Sequence, residues 1–307
     1  MEDTIVAIST ALGVGAISIV RVSGKEAIDI VNKIFKGKDL TTAKTHTINY
    51  GKIIEKEKEI DEVLVSIMKA PNTYTGEDIV EINCHGGIAT TNKILELVLE
   101  NGARLARPGE FTERRFLNGK IDLIQAQGIK DLIDATSDEK RALAMNQLSG
   151  RVSSMIDDLR QEILEKILAN IEVNIDYPEY EDIKKLTNED ILPNLIDIKN
   201  KMEKILQESK NGIMIQQGIK TSIVGRPNVG KSSLLNALLE ENKAIVTDIE
   251  GTTRDIVEGE ILVCGVPFHV IDTAGIRKSD QLVEQIGIQK SLELIEQSEL
   301  VLFVLNN

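Results

Sequence analysis

The octapeptide Gly225-Arg226-Pro227-Asn228-Val229-Gly230-Lys231-Ser232 fits the pattern G-x-x-x-x-G-K-S/T and constrains the chain more than any other segment. The apolar run Ile219–Val224 precedes it and a helical pattern from Lys231 to Leu239 follows, so the glycines fall in a strand-to-helix turn. Such a turn aims backbone N–H groups and the positive end of the helix at one point, which suits an anion. Without a Cβ the glycines let the backbone close on that anion. Lys231 then reaches the β- and γ-phosphates of a nucleotide, and the Ser232 hydroxyl meets Mg²⁺.

Two more strings follow. Gly251-Thr252-Thr253-Arg254-Asp255 reads as a loop, and Asp272-Thr273-Ala274-Gly275 ends a strand-like run. In phosphate-loop proteins such an Asp supports Mg²⁺ and the Gly N–H senses the γ-phosphate. A Thr on the intervening loop closes on the metal and the γ-phosphate and is released after hydrolysis. This order of motifs is that of GTP-hydrolysing proteins. The position after Gly275 is Ile276, where many such proteins carry a water-orienting Gln. Help must therefore come from a cation, a neighbouring acid or a partner. Asn228 is a candidate oxygen donor to a monovalent cation, and Glu284 is a candidate to position the water, although the residues alone also read it as a solvated helix position.

The 307 residues, 42% of them hydrophobic, allow two or three cores. Residues 1–119 read as α+β. Ile5–Ser9, Ala16–Val22 and Ile79–Asn83 are strand-like, Lys25–Phe35 has helical spacing, and Thr45–Ile54 with Ile60–Met68 reads as a hairpin turned at Glu55–Glu59. A helix carrying Ile94, Leu95, Val98 and Leu99 on one face follows the string Cys84-His85-Gly86-Gly87. Residues 120–212 read as an all-α domain of long antiparallel helices. Leu159, Ile163, Ile167 and Ile171 recur every four, and Ile191, Leu195, Ile198, Met202 and Ile205 form an a/d seam. Residues 213–307 alternate strands and helices, as in a doubly wound α/β sheet. There Ile261–Cys264 and Phe268–Ile271 make a hairpin turned at Gly265-Val266-Pro267, and Val301–Leu305 is a buried-type strand.

A net charge of −13 argues against whole-surface attraction to nucleic acid, so any RNA contact needs a local basic patch or a partner. Aromatic residues at 3%, with no Trp, argue against a stacking platform for single strands. No apolar run approaches the ~18 residues that span a bilayer. The N-terminus, Met1-Glu2-Asp3-Thr4, lacks the basic region of a signal peptide. Two distant cysteines fit a reducing cytosol. Adjacent on a strand, Cys84 and His85 point to opposite faces and make a poor nucleophile pair. Cys264 is expected to pack within its hairpin.

Longer strings carry a resemblance over the whole chain. Asp3-Thr4-Ile5-Val6-Ala7, Ile19-Val20-Arg21-Val22-Ser23-Gly24, Thr75-Gly76-Glu77-Asp78 and His85-Gly86-Gly87 are similar to the tRNA-modification GTPase family called MnmE or TrmE. So is the stretch from Arg107-Pro108-Gly109-Glu110-Phe111-Thr112-Glu113-Arg114 to Phe116-Leu117-Asn118-Gly119-Lys120-Ile121-Asp122-Leu123. The resemblance implies an N-terminal domain that binds a tetrahydrofolate derivative through Arg21, Glu81 and Lys120 and pairs into a homodimer. The residues alone leave open that Arg21 and Glu81 merely pair within the sheet. It further implies a GTP/GDP site at Asn228, Val229, Gly230, Lys231, Ser232, Ser233, Thr247, Asp248, Ile249, Glu250, Gly251, Thr252, Thr253, Asp272, Thr273, Ala274 and Gly275. Ser232 and Thr253 would bind Mg²⁺. Asn228, Thr247, Ile249 and Thr252 would hold a K⁺ ion that replaces an arginine finger, Arg277 lies in the following switch, and Glu284 would orient the water. Lys231, Thr253 and Glu284 are thus the catalytic candidates.

The family acts on tRNA with a flavin-binding partner, MnmG, in a heterotetramer, adding a carboxymethylaminomethyl-type group at carbon 5 of the wobble uridine. Arg104, Arg107, Arg114, Arg115 and Lys120 form the one basic cluster available for RNA. The sequence ends in Val301-Leu302-Phe303-Val304-Leu305-Asn306-Asn307, a core strand in the middle of the GTPase fold, without an N-K-x-D guanine-reading motif, and reads as truncated there. The expected class is therefore a multidomain α+β protein: an α+β folate-binding domain, a helical domain and an incomplete phosphate-loop α/β domain. Two rivals are a regulatory G protein with a partner-binding first domain, and a folate-dependent transferase within residues 1–119.

Overall fold

The computed structural model describes residues 3–177, 187–225, 229–241, 259–272 and 295–305. The chain divides into two compact units, Met1–Ala126 and Gln127–Asn307.

The first unit is a seven-stranded sheet whose core face is covered by two helices. Its strands are β1 (Ile5–Ile8), β2 (Ile17–Ser23), β3 (Phe35–Gly37), β4 (Thr47–Glu55), β5 (Lys58–Met68), β6 (Ile79–His85) and β7 (Arg104–Leu105), in the order β3-β4-β5-β6-β2-β1-β7. Only the β1–β7 pair is parallel. Alternation decides the faces. Val20, Val22, Val63, Val65, Ile67, Val80, Ile82 and Cys84 point inward against α1 (Ala27–Ile34) and α2 (Ile88–Glu100). From α1 come Ala27, Ile30, Val31 and Ile34; from α2 come Ile94, Leu97 and Val98.

The β4–β5 hairpin turns on Lys56-Glu57 alone. Both have positive φ, 44° and 70°, the mirror-image turn that matches strand twist. Glu55 and Lys58, expected in the turn, instead pair across the ladder. The register shift beside Ile53/Ile54 leaves Ile60 unmatched, a bulge that takes up the odd residue. Phe35, expected in the helix, leaves it to start β3, because its ring lies over Gly51 and Gly37, where any Cβ would collide with it.

The boundary falls within the first of a run of helices, which continues through the second unit. They are α4 (Leu123–Ile133), α5 (Asp138–Leu148), α6 (Arg151–Ile163) and α7 (Ala169–Asp176), the last two joined through a π turn at Leu164–Leu168, and α8 (Asn188–Gln217). Ser137 caps α5 by accepting from Lys140 N, and a Thr187–Asp190 capping box starts α8. The four-residue stripe behaves as expected: Ile167 is buried, with Leu159, Ile163 and Ile171 half-buried beside it. The a/d seam of α8 holds only in part. Ile198 is buried, but Leu195 and Met202 are exposed.

The unit continues into a four-stranded sheet of β8 (Ile219–Gly225), β9 (Gly259–Val263), β10 (Val266–Asp272) and β11 (Leu300–Val304), ordered β11-β8-β10-β9. β8 runs parallel to both neighbours, and β9 pairs antiparallel with β10. Three expectations need correction. The hairpin turns on Cys264-Gly265, with φ of 50° and 79°, and Val266 and Pro267 lie in β10. Val266 faces Val263, so the missing N–H of Pro267 points away from β9, and pairing with β8 begins only at Phe268. Cys264 is consequently exposed at the turn and does not pack. Finally, β11 is an edge strand among the described residues, and Phe303 and Leu305 are exposed. No described helix is long and apolar enough to cross a membrane.

Candidate functional site

The face of the first sheet opposite α1 and α2 carries the first candidate site. Residues on the outward parity include Ile17, Ile19 and Arg21 of β2, Glu81, Asn83 and His85 of β6, Leu64 and Ser66 of β5, and Ile48 and Tyr50 of β4. Ile17, Ile48, Tyr50 and Leu64 are exposed, so an apolar area flanks the polar residues. Arg21 and Glu81 sit directly opposite one another in register. Arg21 Nε donates to Glu81 Oε1 at 2.8 Å, and Arg21 Nη2 lies 2.7 Å from the same oxygen. The Arg21 guanidinium also stands 5.5 Å from the Tyr74 ring centroid and 5.7 Å from that of Phe111.

The loop before β6 and the helix α3 (Glu110–Leu117) close round this pair. The Tyr74 hydroxyl and Thr112 Oγ1 are 3.1 Å apart, and Arg115 stacks on Tyr74 at 4.6 Å. Asn118 Nδ2 donates to Thr75 O at 2.8 Å. Gly76 is at φ +84°, and a Cβ there would lie 3.1 Å from Lys120 Cε, so the Lys120 stem runs along this loop. Arg21, Glu81 and Lys120 thus share one region. Tyr74, Phe111 and Thr112 belong to it too and were given no site role from sequence. Phe111 and Thr112 lie inside the string that ends at Arg114, and Tyr74 directly precedes the one that starts at Thr75.

The proposed basic cluster does not survive as a free cationic surface. Arg114 is wholly buried and bonds Asp3, Glu77 and Glu110. Arg104 pairs with Asp3 and Glu110, and Arg107 with Glu113. Acids close in space neutralise three of the five cations. Cys84 and His85 point to opposite faces, as expected. Cys84 is buried with its thiol pushed up by burial, while His85 Nδ1 lies 2.6 Å from Asp61 Oδ1 at the surface.

The second candidate site is the edge where β8, β10 and β11 all end. Ligands of open α/β sheets bind at this carboxyl edge. Gly225 ends β8 where a Cβ would lie 2.5 Å from Val304 O, so glycine is required. Gly230 takes φ +96°, and α9 (Lys231–Glu241) starts directly after it. Lys231 is buried and its ammonium donates to Gly225 O at 3.0 Å, folding the lysine back over the turn. Val229 and Gly230 lie in the turn, and Ser233 is on the exposed side of the first turn of α9. The backbone of Ser232 is in α9 and that of Asp272 ends β10. The side chains of Ser232 and Asp272, together with Asn228, Thr247, Asp248, Ile249, Glu250, Gly251, Thr252, Thr253, Thr273, Ala274, Gly275, Arg277 and Glu284, lie outside the described residues.

Comparison with known proteins agrees with this architecture. The family described as "GTP-binding protein TrmE N-terminus" matches residues 4–120, and "MnmE helical domain" matches residues 123–301. These matches define a class: proteins in which a TrmE-type N-terminal unit precedes an MnmE-type helical domain. Among individual proteins, the tRNA modification GTPase MnmE of Bacillus cytotoxicus is 58% identical over 306 residues, 99% of this chain and 67% of that protein. The proteins of the same name from Bacillus mycoides and Bacillus anthracis are 57% and 56% identical over the same shares. The chain belongs to the MnmE family.

Proposed function

We propose that this protein binds and hydrolyses GTP in the modification of tRNA wobble uridine. The reaction adds a carboxymethylaminomethyl-type group at carbon 5, with a flavoprotein of the MnmG kind as partner. Residues 213–307 are the phosphate-loop GTPase portion, residues 120–212 the helical domain, and residues 1–119 the folate-binding and dimerisation domain. The observation that carries the GTPase reading is Lys231 folded onto Gly225 at the carboxyl edge of parallel strands. Glycines there admit the backbone to a phosphate, and the lysine ammonium already lies over the turn that would hold it. Mg²⁺ would be held by Ser232 and Thr253, and K⁺ by Asn228, Thr247, Ile249 and Thr252. Both ions would supply positive charge to the phosphates, with Glu284 orienting water.

The N-terminal reading is supported by the Arg21–Glu81 pair. A carboxylate suits the N–H edge of a reduced pterin, and the flanking rings and cations suit an aromatic body with an acidic tail. The exposed Ile17, Ile48, Tyr50 and Leu64 support pairing with a second copy through the sheet face opposite α1 and α2. Two free cysteines are compatible with a cytoplasmic setting.

GTP turnover by the full-length protein in K⁺ and in Na⁺ tests the hydrolysis step. Faster turnover in K⁺ is expected; equal rates would sink the cation assignment. Absence of guanine-nucleotide binding in magnesium buffer would overturn the GTPase reading itself.

A further inference from the structure

We propose that Arg115, held by stacking on Tyr74, is a second anion-binding group of the N-terminal site and takes a carboxylate of the ligand's tail. The proposal deepens the folate reading above and rests on it. Arg104, Arg107 and Arg114 each meet carboxylates, but Arg115 makes no ion pair among the described residues. Its Nε is shut from solvent with no hydrogen-bond partner, and its guanidinium lies 4.6 Å from the Tyr74 centroid, closer than Arg21 does.

A half-buried guanidinium without an acid is a standing electrostatic cost. Stacking on one ring offsets part of it and fixes the direction of the fork, but it neutralises no charge. The terminal nitrogens remain available for a bidentate carboxylate. Lys120 N donates to Arg115 O at 3.0 Å, which puts a second cation at the same helix end. Lys120 likewise has no acidic partner among the described residues. Arg21, Arg115 and Lys120 against Glu81 leave the site positive. The ring end goes to Arg21 and Glu81, and the acidic tail goes to Arg115.

Calorimetry on the full chain decides it, using 5-formyl-tetrahydrofolate and its analogue with both tail carboxylates converted to amides. Wild type is expected to prefer the acid. Arg115→Gln should cut that acid-to-amide preference by about tenfold or more, the scale of a charged hydrogen bond, and should flatten the salt dependence of acid binding. Arg115→Lys, which keeps the charge but loses the planar fork, should fall between. An unchanged preference in Arg115→Gln, including an equal loss of both ligands, would overturn the proposal. Failure of wild type to bind either compound would overturn the folate reading, and this inference with it.

Discussion

Arg114 donates from Nη1 to the carbonyl of Asp3 and from Nη2 to its carboxylate, both at 2.8 Å, and thereby ties helix α3 to the chain entering β1. The guanidinium is wholly buried, with Glu77 and Glu110 as further partners. Removing one member of a buried charged network leaves the others unpaired in a poor solvent. Arg114→Leu is therefore expected to destabilise the first unit by about 3–5 kcal/mol, read as a lower urea midpoint. A change within experimental error would mean that the network contributes nothing net.

The same network sets an acid limit. Glu110 is fully buried; the hydrogen bond from Arg104, aided by the Arg107 N–H and Arg114, holds its carboxyl at about 2 rather than the ordinary 4.5. Asp3 is lowered as well, first by its hydrogen bond from Arg104. A depressed carboxylate binds fewer protons folded than unfolded, so its contribution is complete above the unfolded value and falls away as pH drops. Stability of the first unit should decline between pH 4.5 and about 2. Chemical denaturation across that range should show a shallower slope in Glu110→Gln; an identical slope contradicts the assignment.

Gly128 lets α4 cross α5. A Cβ there would lie 2.9 Å from Leu148 N, 2.9 Å from Gln147 Cβ and 3.1 Å from Ala144 O. Two of these are backbone atoms, which cannot swing aside. Gly128→Ala would gain ~1 kcal/mol in helix propensity, but overpacking costs ~1–3 kcal/mol. The net expectation is a lowered thermal midpoint, monitored by circular dichroism at 222 nm. A raised midpoint would show that the helices separate freely.

Lys231→Ala removes the ammonium that folds over Gly225. A charged hydrogen bond is worth ~1.5–3 kcal/mol, so nucleotide affinity should fall about 10–100-fold while folate binding by the first unit stays as in wild type. Parallel titrations with GTP and 5-formyl-tetrahydrofolate read both. Unchanged GTP affinity would remove Lys231 from the site.

Most elements could be read in the chain because their signals are local. Alternating Val63, Val65 and Ile67 mark one face of a strand, and Leu159 to Ile171 mark one face of a helix. Turn positions were harder. Nothing in their side chains announces that Lys56-Glu57 and Cys264 adopt positive φ; the twist of the paired strands imposes it. The α8 seam misled at Leu195 and Met202, because a heptad pattern states which residues can pack and not whether a neighbour reaches them.

The sequence by itself determined the phosphate-loop string, the order of strands and helices, and the kinship carried by the strings around Arg21, Thr75 and Arg114. Tertiary structure alone decided the charges. Arg104, Arg107, Arg114 and Arg115 look alike in a row, yet the first three are matched by Asp3, Glu77, Glu110 and Glu113, while the Arg115 guanidinium stacks on a tyrosine ring and has no acidic partner among the described residues. Coulombic partnership depends on distances of a few ångströms. Those are set by which segments the fold brings together, so spacing along the chain could not reveal them.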